Sequence, residues 1–246
     1  MRMLLRLITV EVRRALDTRA PRWAFVITIG VGISLSLVAP GGASGSFESF
    51  VAAVSLGLPL LVGMLAVMVF TTDWDTRAAL VTFVLTPRRS RVIVARYFAV
   101  LALTVGTLLT IHVIAALLFI AVHNEAVNTI FTIGVAAQMA SMLGTTVASA
   151  LTATAVASLV LRTAPALVIA VFAPFVLTIA LAFTPELLVW INPYGFAGWL
   201  ASPTLRWMTG SSDSTVGVGP ALASFLLWTA APLVLGWVRQ LRTEPR

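Results

Sequence analysis

The chain has 246 residues, of which 59% are hydrophobic and only 10% are charged, and its formal net charge is +7. A soluble domain carries roughly 25% charged residues, so this chain lacks the polar surface that it would need to fold in water. The composition excludes an ordinary soluble domain and predicts an integral membrane protein.

All sixteen basic residues are arginine, and most of them flank apolar stretches. Membrane topology and anionic lipid explain this pattern better than a nucleic-acid partner, which we therefore do not expect. A Walker A site needs a lysine to reach the phosphates, so the chain cannot contain one. It also has no cysteine, which excludes disulfides and thiolate chemistry.

Residues 3–18 predict an amphipathic helix that lies along the inner leaflet of the membrane. Charges interrupt the apolar positions, whereas a signal peptide would have an uninterrupted apolar core after its arginines. One helical face carries Arg6, Arg13 and Asp17, and another carries Leu5, Ile8 and Val12.

Six apolar segments follow, each at least as long as the roughly 17 residues that a spanning helix needs. They are 23–39, 50–70, 92–122, 129–161, 164–183 and 220–238. The fold predicted is an all-α integral membrane protein, with a single transmembrane domain over residues 1–246. Six spans place both termini on the same side, together with fifteen of the sixteen arginines, and leave only Arg206 on the other. Arginine accumulates on the cytoplasmic side, so the termini and the 71–99 loop are predicted to be cytoplasmic.

The loop 71–91 is charged and structured. Asp73 and Asp75 are interpreted as carboxylates at the start of a helix from Thr76 to Leu85, favourable at the positive end of its dipole. Pro87 ends this helical segment before the basic residues that follow it. Two interpretations of this helix are equally compatible with its sequence. In one, an apolar ridge that includes Phe83 fits a groove on a partner protein. In the other, the helix lies in the inner membrane interface.

On the opposite side, residues 185–208 predict a short external helical hairpin. Thr184-Pro185-Glu186 has the form of a helix start, with a hydroxyl, a first-position proline and a first-turn carboxylate. Asn192-Pro193 ends that helix, and a second short aromatic-rich segment follows.

The fourth span carries hydroxyl side chains at helical spacing. These side chains either line a translocation path or pack against neighbouring helices, and the packing interpretation is favoured. Under either interpretation this helix faces protein rather than lipid. These residues are Ser141, Thr145, Ser149 and Thr152. Trp228, in the middle of the last span, is a further candidate for the path.

His112 lies inside the third span, where an ionisable residue is a functional hypothesis by default. It has no acidic partner in the same span, so a neutral imidazole bonded to a carbonyl or hydroxyl group is the alternative. His123 is the only other histidine, so no metal site is expected.

Gly42-Ala43-Ser44-Gly45 matches the GxSG pattern of rhomboid intramembrane proteases, which also have six spans. In those enzymes the serine opens a later helix and pairs with a histidine on the last one. Here the serine follows the first span and the last span has no histidine, so an external loop is favoured and no catalytic residue is predicted.

The arrangement as a whole resembles the permease subunits of ABC-2-type exporters, and most closely the small actinobacterial six-span permeases. The family's loop after the second span corresponds to Asp73-Trp74-Asp75-Thr76-Arg77-Ala78, then Thr86-Pro87-Arg88-Arg89-Ser90-Arg91 and Arg96. Asp73 stands where glutamate is usual, and Ala78 where glycine or threonine is common. Leu161-Arg162-Thr163-Ala164-Pro165 resembles the family's tight turn between spans four and five.

The resemblance implies a non-enzymatic permease of the bacterial cytoplasmic membrane, paired with a second permease copy, identical or related. Two separate ABC ATPase subunits would bind ATP and Mg²⁺, and this chain itself would hold no cofactor and no metal. The 76–85 helix would be the coupling helix. The residues implied in the ATPase contact are Asp73, Trp74, Asp75, Thr76, Arg77, Phe83, Arg88 and Arg89.

Few charges lie in the spans, so the expected cargo is hydrophobic or amphipathic: a drug, lipid, peptide or metabolite, as in multidrug resistance. A polysaccharide is the weaker alternative. Thr145, Ser149, Trp228 and His112 are the candidates for the substrate path. A non-transporting membrane adaptor or immunity-type protein is the alternative, and an intramembrane hydrolase a more remote one.

Overall fold

The computed structural model of the chain describes residues 2–38, 46–54, 57–76, 89–123, 130–200 and 217–242. Every regular element within these ranges is helical, which confirms the all-α prediction. The helices are α1 (Arg2–Asp17), α2 (Arg19–Val38), α3 (Phe47–Val54), α4 (Leu58–Asp75), α5 (Arg89–His123), α6 (Ile133–Val160), α7 (Thr163–Ala180), α8 (Pro185–Ile191), α9 (Val218–Phe225) and α10 (Ala231–Arg242). Residues 195–200 are also helical.

Five helical segments in the described ranges are long and apolar enough to cross a bilayer. They are Leu58–Asp75, Ser90–Val122, Ile133–Val160, Thr163–Ala180 and Val218–Arg242. The last of these joins α9 to α10 through a π-helical turn, Leu226–Ala230. The protein is therefore membrane-embedded. The helix α2, which corresponds to the predicted first span, has 20 residues but is not among these five.

The boundaries of the second predicted span differ from the structure. Where the sequence predicts one segment over 50–70, the structure has the short helix α3 and then α4, which begins at Leu58 with Pro59 in its first turn. At its other end α4 continues past residue 70 as far as Asp75. Hydropathy does not separate the two helices, because the residues of both are apolar.

The helix α6 is at the centre of the bundle, in contact with α3, α4, α5, α7 and the segment from the π-helical turn to α10. Small side chains on α6 allow this close approach. Ser149 and Ala153 face Gly63 of α4, where an added Cβ atom would lie 3.2 Å from the Ser149 hydroxyl oxygen. The prediction that this helix faces protein is confirmed.

The connection from α6 to α7 is tight, as the resemblance at Leu161–Pro165 implies, and it consists of Leu161 and Arg162. Leu161 adopts the left-handed conformation, with φ of 59°, and its backbone N–H donates to the Ala157 carbonyl oxygen. Pro165 is the third residue of α7, since the helix begins at Thr163. A proline costs no helical hydrogen bond there, because N–H groups of the first turn have no partner within the helix.

Candidate functional site

Four of the eight residues predicted to contact an ATPase lie at the carboxyl end of α4. Asp73, Trp74 and Asp75 are its last three residues, and Thr76 follows as its C-cap. The last residue of the set, Arg89, begins α5, but its side chain lies outside the described part of the structure. Arg77, Phe83 and Arg88 also lie outside the described residues, as does the predicted coupling helix after Thr76.

A cluster of four charged residues joins α1, α4 and α5, and is called here the buried charge cluster: Glu11, Arg14, Asp73 and Arg96. Asp73 forms ion pairs with both Arg14 and Arg96. Glu11 forms an ion pair with Arg14, and its carboxylate lies 3.7 Å from Nε of Arg96. Asp73 is only 4% exposed and Arg96 only 2%. The cluster therefore fastens α1 to α4 and α5, the helices that precede and follow residues 77–88 in the chain.

The cluster contains two acidic and two basic groups, so its formal charges cancel. Such balance matters because a buried charge without a partner is strongly destabilising. Burial raises the pKa of the Glu11 carboxyl above its ordinary value, while the neighbouring guanidinium groups of Arg96 and Arg14 oppose that shift. Desolvation is the larger effect at Glu11, since this carboxylate is buried against α5.

Asp75 connects α4 to α7 at the same end of the bundle. Its carboxylate accepts hydrogen bonds from the backbone N–H of Thr163, at 3.0 Å, and from the Thr163 hydroxyl. The Thr163 hydroxyl also lies 2.7 Å from that of Thr71 in α4. Because Thr163 is the first residue of α7, Asp75 supplies a carboxylate to the positive end of that helix.

The predicted role of Asp73 and Asp75 is therefore corrected. The sequence pattern predicts them at the start of a helix over 76–85, but both belong to the last turn of α4. Asp73 faces arginines from α1 and α5, and Asp75 caps α7. Both interactions depend on tertiary packing, which the local sequence pattern does not contain.

Basic side chains gather at this end of the bundle, called here the arginine-rich end. It includes Arg14 and Arg96 of the cluster, Arg162 at the α6–α7 turn, and Arg239 of α10. Arg239 donates a hydrogen bond to the Leu159 carbonyl oxygen at the end of α6. The ends of six helices thus meet here, held by ion pairs and hydrogen bonds.

Of the four substrate-path candidates, the structure brings together Ser149 and Trp228, which line a cavity of about 40 Å³ between α4, α6 and α7. Ser149 Oγ donates to the Pro59 carbonyl oxygen at 2.7 Å, and Trp228 Nε1 donates to the Ile191 carbonyl oxygen at 2.7 Å. A space of this size holds only a few water molecules. These contacts favour the helix-packing interpretation of the polar stripe.

The other two candidates lie apart from that cavity. Thr145 Oγ1 donates within its own helix, to the carbonyl oxygens of Ser141 and Met142 at 3.1 Å. His112 lines a separate cavity, between α5 and α6. The structure therefore does not join the four residues into one path.

Sequence reasoning missed Glu11 and Arg14 as parts of the site and included Arg96 only as a motif residue. A signal for Glu11 was present, because Ile8, Glu11 and Ala15 share one helical face at spacings of three and four. Ala15 and Glu11 are buried in the structure. A carboxylate on the buried face of a helix requires a cationic partner, and a search for that partner leads to Arg96.

None of the protein-family models matches the chain, and no curated protein gives a significant match.

Proposed function

We propose that this protein is the membrane-spanning permease subunit of an ATP-driven exporter of the ABC-2 type, with ATP hydrolysed by separate subunits. The observation that carries the proposal is the buried charge cluster. Asp73 and Arg96 flank the loop 77–88 on both sides, and each is paired with the amphipathic helix α1. A force applied to that loop would therefore reach α1, α4 and α5 together.

The proposed topology has six spans, with α2 as the first of them. Its surface supports this, because Trp23, Val26 and Ile27 are at least half exposed, which suits contact with lipid. Both termini and the arginine-rich end would then face the cytoplasm. The helix α1 would lie in the inner interface of the bacterial cytoplasmic membrane, and its exposed Leu5 and Leu16 would contact lipid.

In the proposed mechanism each permease of a dimer is held by an ATPase subunit at the loop 77–88 and the exposed parts of α1. Closure of the two ATPases on ATP and Mg²⁺ would tilt these elements. The rigid connection through Asp73 and Arg96 would pass the tilt into the spans and open the path outward. The proposed cargo is hydrophobic or amphipathic, because few charges lie within the five apolar segments.

Co-purification with candidate ABC ATPases in mild detergent tests the proposal. We expect the wild-type chain to retain an ATPase and the double variant Arg88→Glu/Arg89→Glu to release it, because reversal of two charges replaces attraction with repulsion across the contact. Arg206→Glu is the matched control, since Arg206 is predicted on the other side of the membrane and its reversal should leave the complex intact.

A folded, monodisperse wild-type protein that retains no ATPase would contradict the exporter proposal and favour a non-transporting adaptor. Equal release by Arg206→Glu would show that the effect is one of general charge rather than of a local contact.

A further inference from the structure

The last spanning segment changes its packing partner at the π-helical turn Leu226–Ala230. The half before the turn, α9, packs on the short helix α8, whereas the turn itself and α10 pack on α6. Trp228 Nε1 donates to the Ile191 carbonyl oxygen at the end of α8. The hydroxyl of the next residue, Thr229, lies 2.8 Å from that of Thr152 in α6. Two adjacent residues of the turn therefore bond to different parts of the molecule.

The half before the turn forms one unit with residues 185–200, and the two together are called here the lid. The backbone N–H of Phe196 donates to the Ser224 hydroxyl at 3.1 Å, and the ring centroids of Phe196 and Phe225 lie 4.8 Å apart. Gly195 allows this approach, because a Cβ atom added there would lie 3.1 Å from Cβ of Ser224. Together with the packing of α8 on α9, these contacts make the lid a single body.

The half after the turn is fixed to α6. Arg239 of α10 donates a hydrogen bond to the Leu159 carbonyl oxygen, and Gly236 lies so close to Ser158 that an added Cβ atom would overlap its hydroxyl oxygen. A π-helical turn departs locally from α-helical hydrogen bonding, and such turns recur at kinks and at functional sites. The turn is therefore a hinge between a fixed half and the lid.

The lid covers the cavity of about 40 Å³ that Ser149 and Trp228 line. Its own part of the lining is Pro193, Tyr194 and Ala197, and the other walls come from α4, α6 and α7. The chain leaves helical form at residues 192–194. Among spanning segments, non-helical backbone is tolerated where it is buried in protein or lines a cavity, so this break is placed where the lid meets the cavity.

The walls opposite the lid carry polar groups that water can bind. Ser149 and Thr152 bring hydroxyl groups to the cavity. Ala170 of α7 also lines it, and its carbonyl oxygen lacks the usual helical donor, because Pro174 has no N–H group. A buried polar group without a partner is costly, so hydration of this wall favours an open arrangement.

We propose that the lid swings as one body about the π-helical turn and opens the cavity at Ser149 and Thr152 to water, while α10 stays fixed to α6. The structure holds the closed arrangement. The inference concerns a motion of the isolated chain, so it stands or fails independently of the proposed exporter function.

A single cysteine in the cavity reports the opening, since the chain has no cysteine of its own. Ser149→Cys replaces a hydroxyl with a thiol, and the full chain in lipid nanodiscs is treated with a charged maleimide, which is larger than the closed cavity. A minor conformation is commonly populated at about 0.1–10%, so we expect labelling about ten- to a thousandfold slower than for Arg162→Cys. Arg162 lies exposed at the α6–α7 turn. Ala170→Cys is a second reporter in case Ser149→Cys fails to fold.

Two engineered disulfides, each added to a reporter chain, separate motion of the lid from motion within it. Gly144→Cys/Leu200→Cys joins the lid to α6, because a Cβ atom added at Gly144 lies 3.6 Å from Cβ of Leu200, within the roughly 3.5–4.5 Å of disulfides. Gly195→Cys/Ser224→Cys, the matched control, lies within the lid. We expect the first disulfide to slow labelling of the reporter at least about tenfold, because it removes the open population. Reduction before labelling should restore the rate, and the control disulfide should leave it unchanged.

Three results would overturn the inference. A reporter that stays unlabelled without any disulfide would mean that the cavity does not open. Equal labelling with and without the Gly144→Cys/Leu200→Cys disulfide would mean that it opens elsewhere, and failure of this pair to oxidise in the folded protein would contradict the closed arrangement. If the control disulfide slows labelling as much as the first, the lid does not move as one body.

Discussion

At the scale of single residues, the buried charge cluster is the feature on which the architecture depends most. Arg96 is almost fully buried, and Asp73 is its closest acidic partner. The pair also holds α1 through Arg14. Its contribution is best measured by removing one charge and leaving the other in place.

Asp73→Asn is predicted to lower the free energy of unfolding by about 3–5 kcal/mol, the typical cost of leaving a buried charge without its partner. Asp75→Asn, the matched control, removes an exposed carboxylate and should cost no more than about 1 kcal/mol. Denaturant unfolding of both variants in the same detergent measures the difference. Equal losses would mean that the burial of Asp73 has no energetic consequence.

The raised pKa of Glu11 predicts a specific pH dependence. The folded state holds the Glu11 proton more tightly than the unfolded state, whose carboxyl titrates near its ordinary value of 4.5. Stability should therefore fall as pH rises from about 4.5 through the folded pKa, and the cost persists at higher pH. Glu11→Gln removes this titration.

The thermal midpoints of wild type and Glu11→Gln, compared between pH 7.5 and pH 5, test the sign of that effect. We expect the variant to be at least as stable as the wild type at pH 7.5, with the gap closing as the pH falls. If the thermal midpoint of the wild type instead rises relative to that of Glu11→Gln as the pH rises, the guanidinium groups affect the Glu11 pKa more than desolvation does.

At the scale of elements, α6 and α10 approach each other closely at Gly236. Of the glycines in the described residues, Gly236 has the shortest distance between an added Cβ atom and a neighbouring atom. A Cβ atom added at Gly236 would overlap the Ser158 hydroxyl oxygen and lie 2.7 Å from the Ser158 carbonyl carbon. Backbone atoms cannot rotate away as a flexible side chain can. The two helices must therefore separate if residue 236 gains a side chain.

Gly236→Ala is accordingly predicted to destabilise the protein by about 1–3 kcal/mol or more, the usual cost of overpacking. Gly106→Ala is the matched control, because nothing lies within 4 Å of the added Cβ atom there. Thermal unfolding should show a lower midpoint for the first variant and an unchanged or higher one for the second. A tolerated Gly236→Ala would contradict the close approach of α6 and α10.

At the scale of the whole molecule, the number of spans depends on α2. The chain has no cysteine, so single cysteines can report sidedness without background. With six spans, Ala43→Cys should react with a membrane-impermeant maleimide only from outside intact cells, and Arg2→Cys, before α2, only after the cells are opened. Labelling of both positions from the same side would mean that α2 does not cross the membrane.

Much of the architecture could be predicted from the sequence because its causes are local. Apolar runs predicted the membrane-embedded helices, and Arg162-Thr163 predicted the turn into α7. The short helix after Thr184 begins at Pro185 and ends before Asn192, as its capping residues indicated. Each of these features follows from residues within one or two helical turns of one another.

The site depended on the tertiary structure. Arg96 meets Asp73 across 23 positions of the chain, and Asp75 meets Thr163 across 88. Helix packing also left a cavity beside His112. Hydropathy and helix capping act between residues that are close in the chain, so the sequence alone determines the helices and their ends. Ion pairs and cavities depend on which helix faces come together, so they follow only from the packed bundle.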